Sequence, residues 1–176
     1  MEMRTLMKKT AVRQLHASEA ASDIEIAFWL QDWDDPYNVG GMFRVADAVG
    51  AEEMILTGKT PQPPHPQISV TSLGHHRRVP FRHFPRHDDA AKTLKEEGWS
   101  LIAVEIASEA QHYMHFEYPA KTCFVLGNEG AGLYGNVVKA CEAAVFIPMA
   151  GKGRSVNVHV AAAIVAFEAR LRLPHS

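Results

Sequence analysis

Thr122-Cys-Phe-Val-Leu-Gly-Asn-Glu-Gly-Ala-Gly-Leu133 sets an almost continuous apolar run directly against three glycines. A short apolar run without polar alternation is the pattern of a strand buried on both faces, as in a parallel sheet. The glycines after it make a tight turn whose amides can approach a ligand closely, or simply the turn from a strand into a helix. Outward from this stretch the same alternation recurs. Strands are predicted at 24–30, 53–56, 79–84, 100–106 and 144–147. Helices are predicted at 38–49, where Val39, Met42, Phe43, Ala46 and Val49 keep helical spacing, and at 88–97, 133–141 and 156–173. Residues 60–66 hold four prolines and read as a loop. Alternating strands and helices predict an α/β domain, a mostly parallel sheet flanked by helices over 23–176. Residues 1–22, with Lys8, Lys9 and Arg13, read as an arm or a short first helix. Ligands of such sheets bind beyond the carboxyl ends of the strands, which singles out the loops 31–41, 127–132 and 148–155.

The chain has 176 residues, 47% hydrophobic and 22% charged, which suits one globular domain with a sizeable core. No apolar run approaches the ~20 residues of a membrane span, so no membrane partner is expected. The N-terminal residues carry charge without an apolar stretch behind them, unlike a secretory signal. Cys123 and Cys141 are too few for a disulfide framework, which points to the reducing cytosol and a cytoplasmic location. Ten histidines show no metal-ligand spacing, and no metal is expected.

A net charge of −2 hides an asymmetry: from Met54 to His87 there is no Asp or Glu, while Arg77, Arg78, Arg82 and Arg86 crowd the end of that stretch. Such a strip suits a polyanion held at one face, or else is a solvated loop.

Three segments carry chemistry. In Asn38-Val-Gly-Gly-Met-Phe-Arg44, two glycines near a predicted helix start leave N–H groups open to phosphate, and Arg44 offers a bidentate fork. The plain alternative is a helix cap followed by a surface arginine. In Leu126-Gly-Asn-Glu129, the glutamate suits ribose hydroxyls or an arginine. In Ile147-Pro-Met-Ala-Gly-Lys-Gly-Arg-Ser-Val-Asn157, Ser155 is placed to cap the closing helix, while Asn157, a poor helix former, asks for another role.

Taken in order, Asn-x-Gly-x-x-x-Arg, Leu-Gly-Asn-Glu-x-x-Gly-Leu and Ile-Pro-Met-x-Gly-x-x-x-Ser-x-Asn-Val resemble the three motifs of the SpoU (TrmH-like) RNA 2′-O-ribose methyltransferases of the SPOUT superfamily. The resemblance spans about residues 24–170 and includes the stretch 63–74. It implies a C-terminal deep trefoil knot, a homodimer, and S-adenosylmethionine as methyl donor to a ribose 2′-OH in RNA, with tRNA ahead of rRNA. It also assigns residues. Arg44, Asn38, Glu129, Ser155 and Asn157 match the catalytic positions. Val104, Leu126, Gly127, Ile147, Met149, Ser155 and Val156 match the cofactor-binding ones. On that reading, Arg77, Arg78, Arg82 and Arg86 contact the RNA backbone. Val156 stands where leucine or methionine is usual, and His159 where serine is usual. The rival reading is a non-catalytic RNA-binding module of the same fold.

Overall fold

The computed structural model describes residues 5–19 and 21–172. The chain runs α1 (Lys9–Ser18), β1 (Glu25–Gln31), α2 (Pro36–Val49), β2 (Glu53–Thr57), α3 (Pro66–Ser72), a 3₁₀ turn (His75–Arg77), β3 (Phe81–Phe84), α4 (His87–Glu96), β4 (Ser100–Val104), β5 (Gln111–His112), β6 (Lys121–Leu126), α5 (Gly135–Ala140), β7 (Ala143–Phe146) and α6 (Val158–Leu171). The seven strands form one sheet in the order β3-β2-β1-β6-β4-β7-β5, and every pairing is parallel. The parallel, helix-covered sheet is the architecture the alternation predicted.

The strand period of two divides the core. Ile26, Phe28 and Leu30 of β1 face α2 and α6, packing with Met42, Phe43, Val165 and Ala166, whereas Ala27 and Trp29 face α4 and α5, packing with Ala90, Leu94 and Val137. Both faces are covered, which is why the strands read as apolar runs without alternation. No described helix is long and apolar enough to cross a membrane.

Several boundaries differ from expectation. Helix α2 begins at Pro36 rather than Asn38: the Asp35 carboxylate accepts from Tyr37 N at 2.8 Å and proline occupies the first turn. Gly40 and Gly41 therefore lie inside the helix, with no open N–H groups to offer, and Arg44 sits more than two turns in. A Cβ on Gly40 would overlap Thr71 Oγ1 and come within 2.7 Å of Ile68 O, so this glycine serves the close crossing of α2 and α3. Helix α3 itself was not expected, nor was the two-residue β5, too short to show a period. Helix α6 starts at Val158, and Asn157 rather than Ser155 caps it, its Oδ1 accepting from His159 N at 3.1 Å. That is the role Asn157 lacked in the sequence. Leu173, the expected end of this helix, lies outside the described residues, as do residues 1–4 and 20 of the expected arm. Helix α1 buries none of its residues.

Candidate active site

The carboxyl ends of β4, β6 and β7 converge on one cleft of about 260 Å³. Its apolar wall comes from Val104, Leu126, Ile147, Met149 and Val156; Gly127, Glu129, Arg154 and Ser155 supply polar atoms. All seven residues matched to cofactor binding line this single cavity, although β4, β6 and the segment after β7 are distant in sequence.

Two residues that sequence reading did not single out shape the cleft. Asn128 closes the glycine turn: its Oδ1 accepts from Gly130 N and Ala131 N, both at 2.9 Å, and its backbone pairs in both directions with Gly132. Its Nδ2 donates to Asp32 O at 2.6 Å and to Asp34 Oδ2 at 2.7 Å, tying the turn to the β1–α2 loop. An asparagine beside glycines is the common signature of such a turn. The second is Glu105. Its carboxylate accepts from Ile106 N at 2.9 Å and from Leu133 N at 3.4 Å, bridging the loops after β4 and β6. A Cβ on Gly127 would overlap the backbone of Gly132 and Leu133, so only glycine allows the turn to fold back this closely.

The β1–α2 loop is pinned as well. Asp32 adopts a left-handed φ of 51°, held by Lys59 N donating to Oδ1 at 2.8 Å and His87 Nε2 lying 2.9 Å from Oδ2. Burial pushes its carboxyl up, but the Lys59 N–H and the His87 ring outweigh that and leave it below the usual aspartate value.

The three motifs then meet through side chains. The Glu129 carboxylate accepts from Asp34 N at 2.9 Å, Asp35 N at 3.3 Å and Asn38 Nδ2 at 3.1 Å. Asn38 Oδ1 in turn accepts from Asn157 Nδ2 at 3.1 Å. One hydrogen-bonded chain thus runs from the turn after β6, through the first turn of α2, to the start of α6. Glu129 is committed to backbone and amide donors of the β1–α2 segment rather than to an arginine.

Beyond Asn38 lies a second, open cavity of about 430 Å³, lined by Tyr37, Asn38, Gly41, Arg44, Val70, Thr71, Leu73 and His159. Arg44 is exposed there and has no hydrogen-bond or ion-pair partner among the described residues. The cleft and the Arg44 cavity are separated by the Glu129–Asn38 hydrogen bond. Glu129 and Ser155 thus line the cleft, Asn38 and Arg44 line the second cavity, and Asn157 joins the two sets through Asn38.

The basic strip divides differently from expectation. Arg77 and Arg78 are exposed, Arg78 lying 3.3 Å from Asp47 Oδ2, and Arg86 is exposed with Asp88 and Asp89 at 3.7 and 3.9 Å. Arg82 does not belong with them. Its Nε and Nη2 donate to Glu53 at 2.8 and 2.6 Å, and Nη1 and Nη2 to Glu97 at 2.7 and 2.8 Å. The carboxylates come from β2 and from the residue that follows α4, either side of the strip's acid-free core, so reading along the chain could not pair them. Four hydrogen bonds to protein carboxylates thus engage its guanidinium.

The comparisons with known proteins agree with this geometry. The family described as the SpoU rRNA Methylase family matches residues 25–167. Over 146 residues, 83% of this chain and 74% of the other, the sequence is 31% identical to the tRNA (guanosine(18)-2′-O)-methyltransferase of Thermus thermophilus. Over 152 residues, 86% of this chain, it is 30% identical to the 23S rRNA (guanosine-2′-O-)-methyltransferase RlmB of Neisseria meningitidis, of which it spans 60%. Among solved structures, the AdoMet-bound rRNA methyltransferase from Sinorhizobium meliloti superposes with a TM-score of 0.78 at 29% identity, covering 82% of this chain and 55% of that one.

Proposed function

Because the chain belongs to the SpoU rRNA Methylase family, we propose that it transfers the methyl group of S-adenosylmethionine to a ribose 2′-hydroxyl of RNA. The observation that carries the reading is the hydrogen-bonded chain Glu129–Asn38–Asn157, which joins all three motifs exactly where the cleft meets the Arg44 cavity.

The cleft fits the cofactor by its chemistry. Val104, Leu126, Ile147 and Met149 offer an apolar slot for a planar base. The turn at 127–132 and the loop through Ser155 bring backbone and hydroxyl groups suited to ribose and amino-acid oxygens and nitrogens. The volume of about 260 Å³ lies just below the ~300–1,000 Å³ common for small-molecule sites. When bound, S-adenosylmethionine supplies an electrophilic methyl carbon on a positively charged sulfur. The protein's part is then alignment. Glu129 and Asn157 hold Asn38, and with it the first turn of α2, against the cleft. Farther along the same helix, Arg44 binds a phosphate next to the target ribose and orients the 2′-OH. A guanidinium with a pKa above ~12 is a poor proton acceptor, so positioning is its main contribution.

Substrate RNA extends from Arg44 toward Arg77 and Arg78. Asp47, which pairs with Arg78, lies one helical turn beyond Arg44 on α2, so the three cations are neighbours. Arg86 supplies a further phosphate contact. Relatives include both a tRNA and an rRNA enzyme, and tRNA is the proposed substrate ahead of rRNA. We place the enzyme in the cytoplasm as a homodimer with a C-terminal trefoil knot. The knot is supported by the late strands β6 and β7, which enter the sheet between strands laid down before them.

Calorimetry with S-adenosylmethionine and with its demethylated product, followed by methylation of purified tRNA and rRNA with ribose mapping by mass, tests the reading. Binding of one or both ligands and a 2′-O-methyl mark on tRNA are expected. Folded protein that binds neither ligand would overturn it, and binding without methylation would leave the non-catalytic RNA-binding module.

A further inference from the structure

We infer that His159 is a second substrate-gripping residue of this site, its ring Nε2–H and the Arg44 guanidinium together holding a phosphodiester of the RNA from two sides of one cavity. The inference deepens the methyltransferase reading and rests on it.

The placement of His159 is over-determined. Its backbone N–H is held by Asn157 Oδ1 at 3.1 Å, and Asn157 is itself bonded to Asn38. Its ring lies over α2 where Gly41 has no side chain: ring atoms Cδ2, Nε2 and Cε1 would stand 3.4–3.5 Å from a Cβ at that position. Arg44, one turn farther along α2, lines the same cavity of about 430 Å³.

The two ring nitrogens differ. Nδ1 is buried and has no hydrogen-bond partner among the described residues, whereas Nε2, also without a partner, remains accessible on the cavity side. A neutral imidazole carries one N–H. An orphaned buried N–H is rarer and costlier than a bare buried lone pair, which places the hydrogen on Nε2. Protonating the ring would put a second N–H on Nδ1 with nothing to receive it. Burial accordingly pushes the His159 pKa below its ordinary value, against an opposing pull from Asp35. The charged and titratable groups facing it are Asp35, Tyr37 and Arg44 on the α2 side; α3 and the first two turns of α6 carry no charged residue. At neutral pH the ring is an uncharged donor.

The strongest free polar groups of the cavity are donors, beside the Tyr37 hydroxyl, which can donate or accept. Arg44 has only N–H groups, Nε2 carries its hydrogen outward, and Asn38 spends both amide ends on Glu129 and Asn157. A ligand with several acceptor oxygens and no hydrogens of its own matches it, and in RNA that is the phosphodiester. The guanidinium fork gives the contact its geometric specificity, and the His159 donor adds a second hydrogen bond to the same group.

Nitrogen NMR of the imidazole in the cofactor-free protein gives the first readout. The protonated nitrogen is expected to be Nε2, and its signal is expected to move when inorganic phosphate or a short RNA oligonucleotide is added. Variants give the second. His159→Ser is expected to weaken oligonucleotide binding about tenfold, the loss of one hydrogen bond to a charged group, with an unchanged salt slope because no cation is removed. Arg44→Gln, by contrast, should lower that slope by about one contact. His159→Gln, which keeps a donor at similar reach, is expected to recover most of the affinity, and cofactor affinity should be unmoved in both His159 variants. A hydrogen on Nδ1, a signal insensitive to the oligonucleotide, or parental affinity in His159→Ser overturns the inference; the first two need no variant to fold. Oligonucleotide binding through His159 in a protein that methylates no RNA keeps the phosphodiester grip and removes the methyltransferase reading. Methylation with His159 unmoved does the reverse.

Discussion

Gly40→Ala separates two accounts of the first motif, one in which its glycine admits a phosphate and one in which it admits a helix. The added Cβ would lie 2.7 Å from Ile68 O and 3.1 Å from Ser72 N, and would overlap Thr71 Oγ1. Thr71 can rotate away only by giving up its hydrogen bond to Tyr37 O, at a loss of about 1 kcal/mol. The Ile68 carbonyl is backbone and can clear only if α3 shifts by several tenths of an ångström, an overpacking cost of about 1–3 kcal/mol. Alanine regains about 1 kcal/mol of helix propensity over glycine. The net expectation is a loss of about 1–3 kcal/mol, which for a chain of this size lowers Tm by roughly 3–10 °C. Scanning calorimetry of both proteins reads the shift. Because α2 carries Asn38 and Arg44, single-turnover methylation should fall with it, while cofactor affinity, set in the other cavity, should change less. A Tm within a degree of the parent, combined with lost RNA binding, would refute the packing account and restore the phosphate one.

Arg44→Lys keeps the charge and loses the fork, so methylation at saturating cofactor is expected to fall by at least ~10²-fold while thermal stability and cofactor affinity hold; activity within a factor of a few of the parent would remove Arg44 from the catalytic list. Reversing Arg77 and Arg78 to Glu should weaken RNA binding and flatten its salt dependence, as measured by fluorescence anisotropy across a salt series, without moving cofactor affinity. Arg82→Met is expected to act on stability instead, lowering it by about 1–2 kcal/mol after discounting for a side chain that is 34% exposed, and to leave the RNA salt slope alone. Arg82 hydrogen bonds hold the Glu97 carboxyl below its ordinary value of 4.5, so that contribution is present above this pH and fades as pH falls through the lowered value. Denaturation at pH 7 and near pH 3 should show the gap between Arg82→Met and its parent narrowing at the acid end.

Much of the site was readable because its residues serve the backbone locally. Glycines after an apolar run mark a strand-to-loop turn, and Gly127–Gly132 forms one; apolar runs at 24–30, 100–106 and 122–126 became β1, β4 and β6 at the centre of the sheet. What misled was position within an element. In the sequence Gly40 falls in the first turn of a helix beginning at Asn38, whereas Asp35 and Pro36 start α2 earlier and carry it inside. Ser155 looked like the cap because it is the better-known capping residue, yet Asn157 is the one that bonds to the helix. Asn128 and Glu105 were passed over because their partners, Asp32, Asp34 and Leu133, lie on other loops.

The sequence by itself determined the alternation of strand and helix, the covered parallel sheet, the three motifs and the family they belong to, since apolar period and glycine placement act over a few residues and are written in order along the chain. Only the tertiary structure decided which charges are free and which are spent. Arg82 and Arg44 are equally basic in the sequence, but Arg82 folds against Glu53 and Glu97 while Arg44 faces an open cavity. Likewise His159 is one histidine among ten until α6 lays it over Gly41, because Coulombic pairing and desolvation depend on distances in space that neighbours along the chain do not set.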